Sequence, residues 1–483
     1  MKTNIHILLV TGLLLFMTGC SSWKNPGKTI DCHPDIFPDY KEVTVPCNIA
    51  PLNFMIEGAD RVQARFSSLE GGSVIVCGRD GIIDIPLRKW HDLLDAAEAL
   101  TVEVAAWSDE HPEGILYKPF NIKVATDAID GWAAYRLIEP GYVSWRQLGL
   151  YQRDLTSFEE SAIVTNHSTT TTCLNCHHFP SYSSESMMFH ARGANGGTVI
   201  YHDGKLAKVD FGKISQEVKS TTYPAWHPDG RFIAFSSNTT HQVFFGEGKQ
   251  QIEVFDTASD LVLYDIVMEE VITDPRFMTQ QSLETFPSWS PDGKSLYFVS
   301  YAADRLPVRL SYDMHYDILR VGFDPSTKKF SEKIDTLYNA VIQGGSMSYP
   351  RVSPDGRYLL STWSQYGTFP IWHNEADLYM IDLASMETVD VSVWNDMDDA
   401  DSYHSWSSNG RWVMFGSRRL DGRYTRLYIA YLDEDGTPHK PFLLPQKDPR
   451  HNTWRLKSFN VPEFIDGEVR LPKNVEKMFY TKD

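Results

Sequence analysis

Five consecutive residues, Cys173-Leu174-Asn175-Cys176-His177, bring two thiols and an imidazole together at a spacing that suits one chemistry. In a C-x-x-C-H run the thiols add to the two vinyl groups of one haem while the adjacent imidazole ligates its iron. Six cysteines and sixteen histidines in 483 residues make a chance occurrence rare. The run therefore nominates one covalent haem c as cofactor, Cys173 and Cys176 as its anchors and His177 as an axial ligand to the iron. Competing readings are a structural or redox disulfide, or half of a zinc site with His177 or His178. A thioredoxin-like dithiol follows a strand and opens a helix, whereas Asn166-His167-Ser168 and four threonines precede this one and read as loop. A zinc knuckle brings a second C-x-x-C or H-x-x-x-H pair, which the chain lacks, so zinc would need distant residues to complete it.

The sixth position on a haem iron would fall to His167, His178, Met187, Met188 or His190, with Met188 and His190 favoured. An imidazole or thioether there makes an electron carrier, and an open position suits ligand binding or catalysis. Arg146, Arg153 and Arg192 are candidate partners for haem propionates. Asp396, Asp398, Asp399 and Asp401 have a spacing compatible with calcium, but no glycine or distal glutamate completes an EF-hand, so a solvated acidic loop is the simpler expectation. His227 and His404 sit near repeat turns and read as substitutions within the repeat. No catalytic residue is assigned: the chain has neither a G-x-S-x-G elbow nor a Walker-type phosphate loop. If the protein is an enzyme, the motif makes it a haem-dependent oxidoreductase.

The start of the chain bears on this chemistry. One early lysine, the apolar run Ile5 to Phe16 and Met17-Thr18-Gly19-Cys20 have the layout of a secretory signal. Met17 to Cys20 resembles the lipobox of bacterial lipoproteins, which implies cleavage before Cys20 and lipid on its thiol. The expected location is the cell envelope, periplasmic or outer-membrane associated, held to the membrane by the lipid anchor. An envelope setting permits disulfides, and Cys32 with Cys47 is the natural pair, leaving Cys77 over. A net charge of −18 argues against nucleic acid as a partner. The expected partner is instead a redox protein or envelope complex.

The elements that must position the motif are mainly β. Val62 to Phe66, Ser73 to Cys77, Ile82 to Ile85, Thr101 to Trp107 and Phe120 to Val124 read as strands, with a helix over 90–100, and together suggest a β-sandwich-like domain. Val143 to Phe158 places Trp145, Leu148, Tyr151, Leu155 and Phe158 at helical intervals. Beyond the motif, Tyr223-Pro224-Ala225-Trp226-His227-Pro228-Asp229-Gly230 recurs from Phe286, from Tyr349 and, with Ser408-Asn409-Gly410 for Pro-Asp-Gly, from Tyr403. Each copy reads as strand, tight turn, strand, and a third strand follows, which is the plan of a propeller blade. Gly197 to Phe211 supplies one weaker copy.

The x-Pro-x-Trp-Ser-Pro-Asp-Gly pattern resembles the repeats of TolB-type propellers over roughly residues 187 to 445, which implies six blades; with four clear copies and one weak one, the expectation is five or six, ring closure pairing an early strand with a late one. Together with Tyr135-Arg136-Leu137-Ile138-Glu139-Pro140 and the C-x-x-C-H run, it also resembles exported lipoproteins labelled cytochrome c biosynthesis or TolB-like proteins. A more distant resemblance is to the hydrazine synthase alpha subunit, whose chemistry needs partner subunits and a second haem. The expected plan is a signal peptide (1–19), a tether (20–45), the sandwich-like domain (46–128), a connecting segment with the haem motif (129–186), the propeller (187–445) and a tail (446–483). The rival to the haem reading is a non-catalytic propeller scaffold for protein or glycan partners, with the cysteines as disulfide or zinc ligands.

Overall fold

The computed structural model describes residues 22–139, 147–169, 173–193, 195–218, 220–248, 250–302 and 311–480. Six four-stranded antiparallel sheets form a six-bladed β-propeller. Blade two is Cys173–His178, Met187–Arg192, Gly197–His202 and Lys205–Val209, and blades three to six open on Thr222–Trp226, Ser282–Trp289, Ser346–Val352 and Asp401–Trp406. Blade one is Trp132–Ile138, Gly149–Asp154 and Glu160–Thr165, completed on its inner side by Ser458–Ile465 from the far end of the chain. An early strand thus pairs with a late one, as the repeat pattern implies.

The propeller begins well before residue 187. The connecting segment of 129–186 is blade one plus the first strand of blade two, and the tail contributes the strand that closes the ring. The helix expected over 143–158 is instead the strand Gly149–Asp154, Trp145 lying outside the described residues. A blade buries both faces against its neighbours. Leu150 faces the cluster shared with blade two, whereas Tyr151 packs against the one shared with the N-terminal domain. Apolar residues on both faces erase the period-two signal and mimic helical spacing.

One geometric device repeats in every inner strand. Val461, Cys176, Tyr223, Phe286, Tyr349 and Tyr403 all have positive φ, between 47° and 52°. In the five strands from blade two to blade six the pairing with the second strand shifts register at this point. The bulge re-aims the residue it carries. Four of the six are aromatic, and their rings follow one another at centroid distances of 4.2, 4.1 and 4.6 Å from Tyr223 through Phe286 and Tyr349 to Tyr403.

The N-terminal part is one mixed seven-stranded sheet, a two-stranded ribbon and a single helix, Leu87–Leu94, rather than a sandwich of two large sheets. The helix starts after Pro86 and stops short of 100, because Ala99 already opens the strand Ala99–Trp107. The tether joins this sheet too: Lys28–Thr29 pairs with Ile115–Leu116 and Thr44–Pro46 with Phe120–Ala125, both parallel. Cys32 and Cys47 remain separate free thiols, so the expected disulfide between them is not formed. The sheet shares one hydrophobic core with blade six, through Trp412, Met414, Leu427, Ile429 and Phe442. Among the described residues no helix is long and apolar enough to cross a membrane. Cys20 and the lipobox lie outside the described residues.

Candidate functional site

The motif lies on the inner strand of blade two, in register with the propeller repeat. Cys176-His177-His178-Phe179 occupies the places of Tyr223-Pro224-Ala225-Trp226 in blade three and Val461-Pro462-Glu463-Phe464 in blade one. Cys176 is therefore the bulge residue, and its thiol lies 3.1 Å from the Thr222 hydroxyl of blade three. His177 takes a position that is proline in four other blades and His404 in blade six. It is 3% exposed, edge-on to Phe179 at 6.0 Å between ring centroids. Its Nε2 is buried without a hydrogen-bond partner. Burial holds the imidazole down at about 4, with Glu463 pulling the other way, so it is neutral at physiological pH. Cys173 and Cys176 are both free thiols, so the disulfide alternative is not realised.

The donor set fits covalent haem: two free thiols with two residues between them, and a neutral imidazole with an unused ring nitrogen. Met187 shares the His177 face, in the blade one and two cluster with Phe179 and Leu174. Met188 is 0% exposed in the opposite cluster, with Ile200, Trp226 and Ile233 of blades two and three. His190 pairs across from Asn175 and bonds Thr198, and His167 is exposed on a short helix. Strand alternation thus puts Met188 on the far side of the sheet from His177. Arg192 is exposed beside Cys173 as its cross-strand partner. Arg153 is buried instead against Pro445 and Gln446, facing the N-terminal domain, and Arg146 lies outside the described residues.

Other candidates resolve into structure. His227 Nε2 lies 2.9 Å from the Gly293 carbonyl in the turn of the next blade, and His404 Nε2 lies 2.9 Å from Leu360 O. Both are ties between blades. Asp401 is fully buried and bound to Arg419 at 2.7 Å, while it also accepts the Asp396 N–H. Among the described residues no three His, Cys, Asp or Glu side chains are disposed to hold a metal ion, for zinc or for calcium.

The sequence offered no warning of a cavity at the end of the channel where the inner strands finish. It has a volume of about 330 Å³. In five of the six blades the residue two places after the positive-φ position is polar and lines it, His178, Ser288, Arg351, Ser405 and Glu463, with Ala225 in blade three and Ser181, Tyr182 and Ser290 beside them. Arg351 Nη2 donates to Glu463 Oε1 at 3.2 Å, and His178 Nε2 lies 3.8 Å from the same oxygen. Trp226, Trp289 and Trp406 complete the wall. The Trp289 and Trp406 indole N–H groups donate to the preceding blade's Ala225 and Arg351 carbonyls, which fixes the spacing of the inner strands.

Fold and site together define a six-bladed propeller with a chemically equipped inner strand and a polar channel mouth. Residues 190–309 match the model of the methylamine dehydrogenase heavy chain family. No curated protein matches the chain. Among solved structures, a puromycin hydrolase is similar at 12% identity and a TM-score of 0.38, over 65% of this chain and 45% of that one. A puromycin-hydrolysing peptidase of Mycobacterium tuberculosis aligns at 12% identity and a TM-score of 0.39, over 84% of this chain and 57% of its own. The oligogalacturonate lyase of Vibrio parahaemolyticus aligns at 12% and 0.32, over 63% and 92%. The chain thus spans about half the length of the two hydrolases.

Proposed function

We propose that the propeller carries one c-type haem on Cys173 and Cys176, with His177 on the iron, and that it serves electron transfer or a haem-dependent redox step in the cell envelope, anchored through lipid on Cys20. The observation that supports this most is His177 Nε2, a buried ring nitrogen with no partner on a neutral imidazole next to two free thiols. Leaving such an atom unsatisfied costs about 1–3 kcal/mol, which metal ligation would recover. The haem, when bound, supplies a one-electron couple. The chain's own residues hold it: the thiols form thioethers, His177 donates its Nε2 lone pair, and Arg192 offers a guanidinium beside Cys173. Met188 and His190 are the proposed sixth ligands, and Met187 is a further thioether, in the cluster with Phe179 and Leu174. The partner would be a redox protein of the envelope.

The test is a denaturing gel stained for haem peroxidase activity, on protein expressed with a haem-attachment system, beside a Cys173→Ala/Cys176→Ala variant. Stain in the parent alone supports covalent haem. A well-expressed, colourless parent sinks the reading. A second reading, a scaffold that binds its partner through one face of the propeller, is favoured by the equipped cavity at the channel mouth.

A further inference from the structure

The cavity at the channel mouth joins a guanidinium, a carboxylate, an imidazole and hydroxyls in one lining. Arg351 uses one N–H on Glu463, and a guanidinium has five in a planar fork suited to carboxylates. Glu463 is 5% exposed and its Oε2 has no hydrogen-bond partner; Ser405 is 3% exposed and its Oγ has none either. His178 Nδ1 is likewise without one. Three unsatisfied buried polar atoms on residues that line a single cavity are costly unless a ligand reaches them. The remaining wall is mixed: Pro224, Pro287 and Pro354 beside the three tryptophans, with Ser181, Tyr182 and Ser290 between them.

From this arrangement we infer that the channel mouth binds a small polyhydroxylated carboxylate, an acid of sugar size. Its carboxylate pairs with the free N–H groups of Arg351, and its hydroxyls satisfy Glu463, Ser405 and His178. Its C–H faces lie against the proline and tryptophan wall. A simple carboxylic acid would leave the three orphaned atoms unpaired, and a neutral sugar would leave the guanidinium fork unused. The inference deepens the scaffold reading and is independent of the haem one: an unstained gel leaves it standing, and a failed titration leaves the haem reading standing.

The experiment is calorimetric titration of the full chain with D-galacturonate, D-gluconate, D-galactose and succinate at equal ionic strength. The same titrations are run on Arg351→Gln, on Glu463→Gln and on Lys333→Gln, which lies far from the cavity. The expected result is binding of at least one sugar acid, tighter than galactose or succinate by tenfold or more. Arg351→Gln should lose it by at least tenfold, with Lys333→Gln unchanged. Because Arg351→Gln also removes the ion pair with Glu463, ligand-detected saturation-transfer NMR on the parent alone gives a second readout that does not depend on the variant's folding. Failure of both sugar acids on the parent, equal binding of succinate, or undiminished binding by folded Arg351→Gln would each overturn the assignment.

Discussion

Burial sets the protonation of single side chains in opposite senses. His177 and His190 are held at about 4, and His178 and His404 at about 3, all chiefly by desolvation. Their folded values lie below the unfolded value of about 6.5, so the stability they confer is complete above that pH and lost as pH falls toward 4. Glu284 behaves the other way. It is 3% exposed, Oε2 has no partner, and burial raises it to about 7. Its stabilising contribution is present below about 4.5 and disappears as pH climbs through 7. Glu284→Gln should therefore be near neutral at pH 5 and stabilising by roughly 1–3 kcal/mol at pH 8. Urea midpoints at pH 5, 6.5 and 8 read this directly; a constant difference across the three would show that Glu284 ionises freely. At this scale the motif residues were legible in sequence because thiol and imidazole spacing is a chemical requirement. Arg351 and Glu463 were not, because their meeting depends on strands that lie 112 residues apart in the chain.

Turns carry the element-scale argument. Gly230, Gly293, Gly356 and Gly410 all have positive φ at the end of the repeat turn. The fourth turn departs from Pro-Asp-Gly for a reason visible in its contacts. Ser408 donates its N–H to Asp130 Oδ2 at 2.7 Å and its hydroxyl to Asp130 Oδ1 at 2.5 Å, while Asn409 Nδ2 donates to Ala128 O. Proline has no N–H to give. Ser408→Pro restores the repeat and should cost about 1–3 kcal/mol by stranding Asp130, whose carboxyl burial already raises. Thermal unfolding of the variant beside Ser408→Ala, which keeps the N–H, checks it: equal losses would assign the effect to the hydroxyl alone. Four copies of the repeat were readable because turn chemistry is local. The inner strands of blades one and two lack the Trp and the Pro-Asp-Gly turn, so Val461-Pro462-Glu463-Phe464 and Cys176-His177-His178-Phe179 did not announce themselves as copies.

At the scale of the whole molecule, the N-terminal sheet and blade six share one core, and Trp412 Nε1 donates to Asp127 O across the junction. Calorimetry should show one cooperative transition for both parts; two resolved transitions would make the junction a weak contact. The strand Ser458–Ile465 gives the ring its last inner strand and lines the channel mouth through Glu463. Removing 458–483 should abolish cooperative unfolding and leave a chain rapidly digested by protease. Until that strand arrives, Trp132–Ile138 exposes an unpaired edge, a template for wrong pairing between chains. The first blade to be made is thus the last to be finished, some 320 residues later, and the contact that finishes it also completes the binding pocket. A stop or a nick that removes this strand would cost the ring its closure and the pocket its Glu463 in one stroke.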